Sequence, residues 1–140
     1  MIKSWGFLIF SVSCLIFMLF FVANNSLKEV SIENLYGQWI GKHKNYEIIL
    51  AIKKDNSCSL ELRFDSSNDV EKFNGNCIID SSKAPYSFIM SNILELNTSL
   101  YSLVAIKNNN NIHMSEFSTK WKLRPVTLEH ENTIIFKSNI

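Results

Sequence analysis

Apolar side chains recur at every second position over much of the chain from Leu35 onward. The clearest runs are residues 46–52 and 58–64. A period of two is typical of strands with one buried face, whereas a helix would repeat every 3.6 residues. Residues that favour turns separate the runs, at positions 54–56, 66–69, 108–111 and 129–132. The pattern therefore predicts an all-β domain.

Further strands are expected in the second half of the chain, with one helical turn at residues 93–96. The expected strands cover residues 86–90, 99–106, 112–117, 121–123, 126–128 and 133–137. Many short strands separated by turns are typical of an antiparallel meander. We expect this meander to close into a small barrel or to fold into a sandwich over residues 35–138.

Two cysteines of this domain, Cys58 and Cys77, fall on neighbouring expected strands. A symmetric turn at residues 66–69 would place Cys58 directly opposite Cys77, within reach of a disulfide. The alternative is that both remain reduced as small buried apolar residues. For the preceding hairpin, a shared apolar face sets Leu50 opposite Leu60, with Asn56 in a left-handed bulge position.

An uncharged apolar segment precedes the domain at residues 5–23. As a helix its 19 residues would span about 28 Å, close to the hydrocarbon thickness of a bilayer. We expect residues 1–24 to form a single-pass membrane anchor and residues 25–34 a tether; the alternative is a cleaved signal and secretion. Lys3 is the only charged side chain in residues 1–24 and precedes the apolar segment, so the N-terminus should stay cytoplasmic and the domain should be exported.

The charge balance of the domain argues against nucleic acid as a partner. Without Lys3, 13 Lys and Arg face 13 Asp and Glu, from totals of 14 and 13. Proteins that bind nucleic acid need a basic surface to displace counterions from phosphates. The densest group of cations, residues 120–124, alternates with apolar residues as the solvated side of a strand does.

Several short motifs occur in an order that resembles small bacterial lipocalin-like domains. Gly37-Gln38-Trp39 opens the first strand, an Ile-Asp-x-x-Lys-x-Pro strand and turn spans residues 79–85, and Arg124-Pro125 comes late. The similarity covers residues 35–137, although Cys77 stands where these domains usually have an aromatic residue. It implies an antiparallel barrel in which Trp39 closes one end and a late arginine, Arg124, packs over its ring. The alternative is that Trp39 is core and Arg124 is solvated.

No motif in the sequence predicts an enzyme, a metal site or a cofactor. The chain lacks a Gly-x-Ser-x-Gly motif and a glycine-rich phosphate loop, and two cysteines with scattered histidines have no metal-ligand spacing. An enzyme would need a polar cluster such as His113, Glu116 and Arg124. We therefore expect an envelope interaction or assembly module, recognised by a protein partner, or alternatively a barrel that binds a small apolar ligand.

Overall fold

The computed structural model describes residues 31–108 and 110–139. The expected anchor at residues 1–24 lies outside the described residues, as does most of the tether at 25–34. The described chain forms a closed barrel of eight antiparallel strands, each paired with the next and the last with the first. The strands are β1 (Gly37–His43), β2 (Tyr46–Ile52), β3 (Ser57–Phe64), β4 (Val70–Asp80), β5 (Tyr86–Ile93), β6 (Thr98–Asn108), β7 (Asn111–Ser115) and β8 (Thr133–Ser138). The predicted all-β barrel is confirmed, and the sandwich is not formed.

Bulky side chains fill the barrel. The largest fully buried ones are Trp39, Phe88, Phe136, Leu35, Ile48, Leu50, Met90, Ile112 and Met114. Gly41 on β1 makes room for one of them, because a Cβ there would come within 2.9 Å of Cδ1 of Phe136. The alternation seen in the sequence thus becomes one apolar core shared by all eight strands.

A short 3₁₀ helix, Ile32–Leu35, packs at the end of the barrel where β1 begins. Leu35 is fully buried, and its carbonyl oxygen accepts a hydrogen bond of 2.9 Å from Nε1 of Trp39. Ile32 packs against the same core, so the end of the expected tether belongs structurally to the barrel. None of the helices in the described ranges is long and apolar enough to cross a membrane.

The hairpin of β2 and β3 has the predicted register. Leu50 lies opposite Leu60, and Ile52 lies opposite Cys58. Asn56 adopts φ 64° as predicted, a conformation that Asn tolerates better than most residues. The Asp55 carboxylate accepts hydrogen bonds from the backbone N–H and the hydroxyl of Ser57. Pattern and turn chemistry here specify the same geometry.

The register predicted for β3 and β4 is wrong by two residues. Cys58 lies opposite Gly75, and Leu60 lies opposite Phe73. A shift of two preserves which face each side chain occupies, so alternation cannot distinguish the two registers. The predicted disulfide is nevertheless present, because Cys77 lies diagonally across from Cys58 with a Cα–Cα distance of 5.9 Å.

Residues 121–123 and 126–128 do not form the strands that the sequence predicts. Trp121–Leu123 is a 3₁₀ helix, and residues 126–128 have no regular structure. Direct pairing of β7 with β8 leaves these residues without a partner strand. Pro125, which has no N–H to donate, further disfavours a strand here. By contrast, the expected helical turn at 93–96 forms, with the N–H of Asn97 donating to the carbonyl of Ile93.

The disulfide should supply a large part of the stability of the domain. We expect the free energy of unfolding of the double variant C58A/C77A to be about 3 kcal/mol lower than that of wild type, because the bond closes a loop of 19 residues. Denaturant unfolding of the full-length protein measures this difference. Wild type in excess reductant should match the double variant, and equal stability of all three samples would contradict the prediction.

Candidate functional site at the connection of β7 and β8

The connection of β7 to β8, residues 116–132, begins where the β6–β7 ladder is interrupted. Ser115 is buried, and its hydroxyl accepts a 2.8 Å hydrogen bond from the N–H of Leu103. The hydroxyl of buried Ser102 donates in turn to the carbonyl of Ser115 at 2.8 Å. The Ser115 hydroxyl thus accepts the hydrogen bond that a backbone carbonyl would accept in a regular ladder. The two serines fix the point where the connection leaves the regular barrel.

Beyond this point the connection keeps a single bridge to β6. Val104 pairs with Met114 in the regular ladder, whereas Tyr101 pairs with Ser118. Between these two pairs the connection therefore has one residue more than β6. This is the arrangement of a β-bulge, which bends a strand and redirects its side chains. Glu116 lies in this irregular stretch, between the two pairs.

Glu116 ties the connection to the hairpin of β1 and β2. Its Oε1 lies 2.7 Å from Nε2 of His43 and 3.3 Å from Nζ of Lys44. Tyr46 lies beside this group, with its ring 5.6 Å from that of His43. Burial, and secondarily the charge of Glu116, raise the pKa of the Tyr46 phenol. The phenol therefore stays protonated, and the contacts of Glu116 with His43 and Lys44 hold the connection against the hairpin.

A three-residue stack shapes the outer part of the connection. The guanidinium carbon of Arg124 lies 3.5 Å from the ring centroid of Trp121, a cation–π contact. Trp121 also meets Tyr101 of β6 edge-on, at 5.2 Å between centroids. The expected packing of Arg124 over Trp39 is therefore corrected. Trp39 is buried beside Leu35. Trp121, close to Arg124 in the chain, has an exposed ring, so the charged guanidinium packs on it and stays hydrated.

A groove of about 370 Å³ runs beside this stack. Carboxylates of Glu116 and Glu129, the Arg124 guanidinium and several apolar side chains form its walls. Its lining comprises Ser115, Glu116, Phe117, Ser118, Leu123, Arg124, Pro125, Val126, Thr127, Glu129 and Asn132. The groove lies at the end of the barrel opposite Ile32–Leu35, since β8 starts beside it and finishes against Trp39. Mixed walls of this kind suit recognition of an amphipathic surface.

A smaller cavity of about 190 Å³ lies on the outer wall of the barrel. It is lined by Lys107, His113, Leu128, His130, Thr133 and Ile135. Burial lowers the pKa of His113, and the facing charges of Lys107 and His130 lower it further. This cavity therefore gathers basic groups, whereas the groove contains both signs of charge.

The structure assembles only part of the polar cluster that the sequence suggested for an enzyme. Glu116 and Arg124 line the same groove, but His113 lies in the smaller cavity. The imidazole that meets Glu116 is that of His43. Sequence reasoning missed it because two residues so far apart in the chain give no local signal. In residues 31–108 and 110–139, no three His, Cys, Asp or Glu side chains are grouped to hold a metal ion.

Comparison with known proteins does not identify a relative. No protein-family model matches the chain, and neither a curated protein nor a solved structure matches it significantly.

The serine pair should be essential to the stability of the connection. We expect Ser115→Ala to destabilise the protein by about 1–3 kcal/mol, because it leaves the buried N–H of Leu103 without its acceptor. Denaturant unfolding measures the loss. Ser118→Ala is the matched control, since the Ser118 side chain is only half-buried and its hydroxyl bonds with the backbone of Lys120, within its own turn. Equal effects of the two substitutions would contradict the assignment.

The lowered pKa of His113 predicts a dependence of stability on pH. The folded state binds a proton at His113 more weakly than the unfolded state, whose value is near 6.5. The stability linked to this group is therefore present above pH 6.5 and is lost as pH falls through the folded-state pKa. We expect the free energy of unfolding of His113→Gln to fall less steeply than that of wild type as the pH decreases below 6.5. Parallel profiles would contradict the prediction.

Proposed function

We propose that this chain is an exported, membrane-anchored, lipocalin-like barrel that acts as an envelope interaction module through its β7–β8 connection. The observation that carries the proposal is a group of exposed apolar side chains on that connection, beside the groove. Trp121 is 49% exposed, Leu123 69% and Val126 77%. Exposed apolar patches with a polar rim commonly mark interaction sites.

The filled interior favours this function over the binding of a small apolar ligand. An eight-stranded barrel is either filled by its own side chains or keeps an internal cavity that holds one small ligand. Trp39, Phe88 and Phe136 are buried inside this barrel. The groove of about 370 Å³ is lined instead by residues of the connection and by the end of β7.

The chemistry of the connection indicates what kind of partner would fit. Residues 117–128 contain Lys120, Lys122 and Arg124 but neither Asp nor Glu. Tyr, Trp and Arg are the side chains most often responsible for binding energy at protein interfaces. In the stack of Tyr101, Trp121 and Arg124, these side chains already contact one another. We therefore propose a protein partner that presents an apolar segment flanked by carboxylates.

Two further observations support the location and the class of the domain. The disulfide of Cys58 with Cys77 is a bond of oxidising compartments, which agrees with export by residues 5–23. The eight-stranded closed barrel, with Trp39 buried near the start of β1, is compatible with a lipocalin-like barrel. Fold class alone does not identify an activity, so the proposal depends on the exposed connection.

Site-specific photo-crosslinking in intact cells tests the proposed surface. A crosslinking amino acid at position 123 of the full-length chain should trap one discrete partner, to be identified by mass spectrometry. Leu94 is the matched control, because it is also an exposed leucine, 92% accessible, on a different connection. The same products from positions 94 and 123 would contradict the proposal.

Binding of the identified partner in purified form completes the test. We expect Leu123→Asp to weaken binding about tenfold or more, as loss of a central apolar contact does. Leu94→Asp should have no effect. Lys120→Glu with Lys122→Glu should also weaken binding, most strongly at low salt. Unchanged affinity in all variants would exclude this surface.

A further inference from the structure

The smaller cavity on the outer wall has a one-sided charge. Lys107 comes from β6, His113 from β7, and His130 from the connection that folds over them. The remaining walls are Leu128, Thr133 and Ile135, so none of the described residues that line the cavity is an acid. Such a concentration of basic groups is notable in a domain whose formal charges balance.

Two of the basic groups in the cavity act on the third, His113. Lys107 and His130 each disfavour the protonated form of His113, in addition to the effect of burial. The nearby carboxylate of Glu129 lines the larger groove and accepts a hydrogen bond from the Thr127 hydroxyl. The repulsion is therefore not compensated from within the cavity. An anion placed between the three groups would relieve it.

We propose that this cavity binds a phosphate-type oxyanion between Lys107, His113 and His130. Protonated imidazoles and an ammonium group form charge-assisted hydrogen bonds with phosphate oxygens. The volume of about 190 Å³ is smaller than typical pockets for drug-sized ligands. It therefore fits a small anion or a phosphorylated headgroup rather than a whole amphiphile. This inference does not depend on the interaction surface proposed above.

The cavity walls also indicate how the anion would lie. Leu128 and Ile135 supply apolar surface beside the cations. The Thr133 hydroxyl donates to the carbonyl of Glu129, so it does not donate to the anion. The contacts to the ligand therefore come from Lys107 and the two imidazoles. Because the imidazoles bind an anion best when protonated, affinity should increase as pH falls.

Histidine side-chain NMR of the full-length chain in a nonionic detergent tests the site. Inorganic phosphate is titrated at about pH 6 and about pH 8, with sodium chloride keeping the ionic strength constant. We expect saturable shifts of His113 and His130, with weaker binding at the higher pH. The chain has three histidines, so His43, which contacts Glu116, is an internal reference that should not shift.

A second titration, with a short-chain phosphatidylglycerol in place of phosphate, distinguishes the source of the anion. Saturation at lower concentration than with phosphate would indicate a lipid headgroup, and the reverse order would indicate a free phosphate. Lys107→Gln should weaken either interaction about tenfold or more. Lys54→Gln, which removes an exposed cation outside the cavity in the turn between β2 and β3, should leave binding unchanged.

Three results would overturn the inference. The first is the absence of saturable shifts with both probes. The second is an equal response of His43, His113 and His130, which would indicate only a general ionic effect. The third is unchanged binding in Lys107→Gln while the fold, followed by circular dichroism, is intact.

Discussion

Eight short antiparallel strands that close on themselves have one interior to fill, and this constraint governs the rest of the molecule. Trp39, Phe88 and Phe136 occupy that interior together with aliphatic side chains. Even the backbone of β1 contributes, since Gly41 gives space to Phe136. Because the inside of the barrel is taken up by its own side chains, recognition is expected at the outer surface, where both the groove and the basic cavity lie.

The position of that outer surface follows from one interruption in the backbone ladder. The N–H of Leu103 donates to the hydroxyl oxygen of Ser115, and the regular pairing of β6 with β7 ends there. Glu116, in the irregular stretch that follows, contacts His43. The connection then packs on β6 through Trp121 and Tyr101. A buried hydrogen bond of a small side chain thereby determines where exposed aromatic and charged groups are presented.

The two sides of the connection differ in their electrostatics. Glu116 and Glu129 accompany Arg124 in the groove, whereas Lys107, His113 and His130 meet in the smaller cavity. Mixed charge beside exposed apolar groups suits a protein surface. Clustered cations in a small cavity suit an anion. Residues of the same connection therefore line both the groove and the smaller basic cavity.

The sequence by itself determined the strand class, the antiparallel meander and the register of β2 with β3, whereas closure into a barrel rather than a sandwich was decided by the tertiary structure. For β2 and β3, a period of two and local turn chemistry at Asn56 specify the same arrangement. It also indicated the pairing of Cys58 with Cys77, although the neighbouring register was wrong by two residues. The alternation of apolar and polar residues cannot distinguish registers that differ by two residues, because every side chain stays on the same face of the sheet. Only the tertiary structure decided that Arg124 stacks on Trp121, that residues 121–123 leave the sheet and that His43 meets Glu116. Barrel closure brings His43 to Glu116, which no local pattern in the chain encodes. The contact of Arg124 with Trp121 is local, but it depends on residues 121–123 forming a 3₁₀ turn, because β7 pairs directly with β8 and leaves these residues outside the sheet.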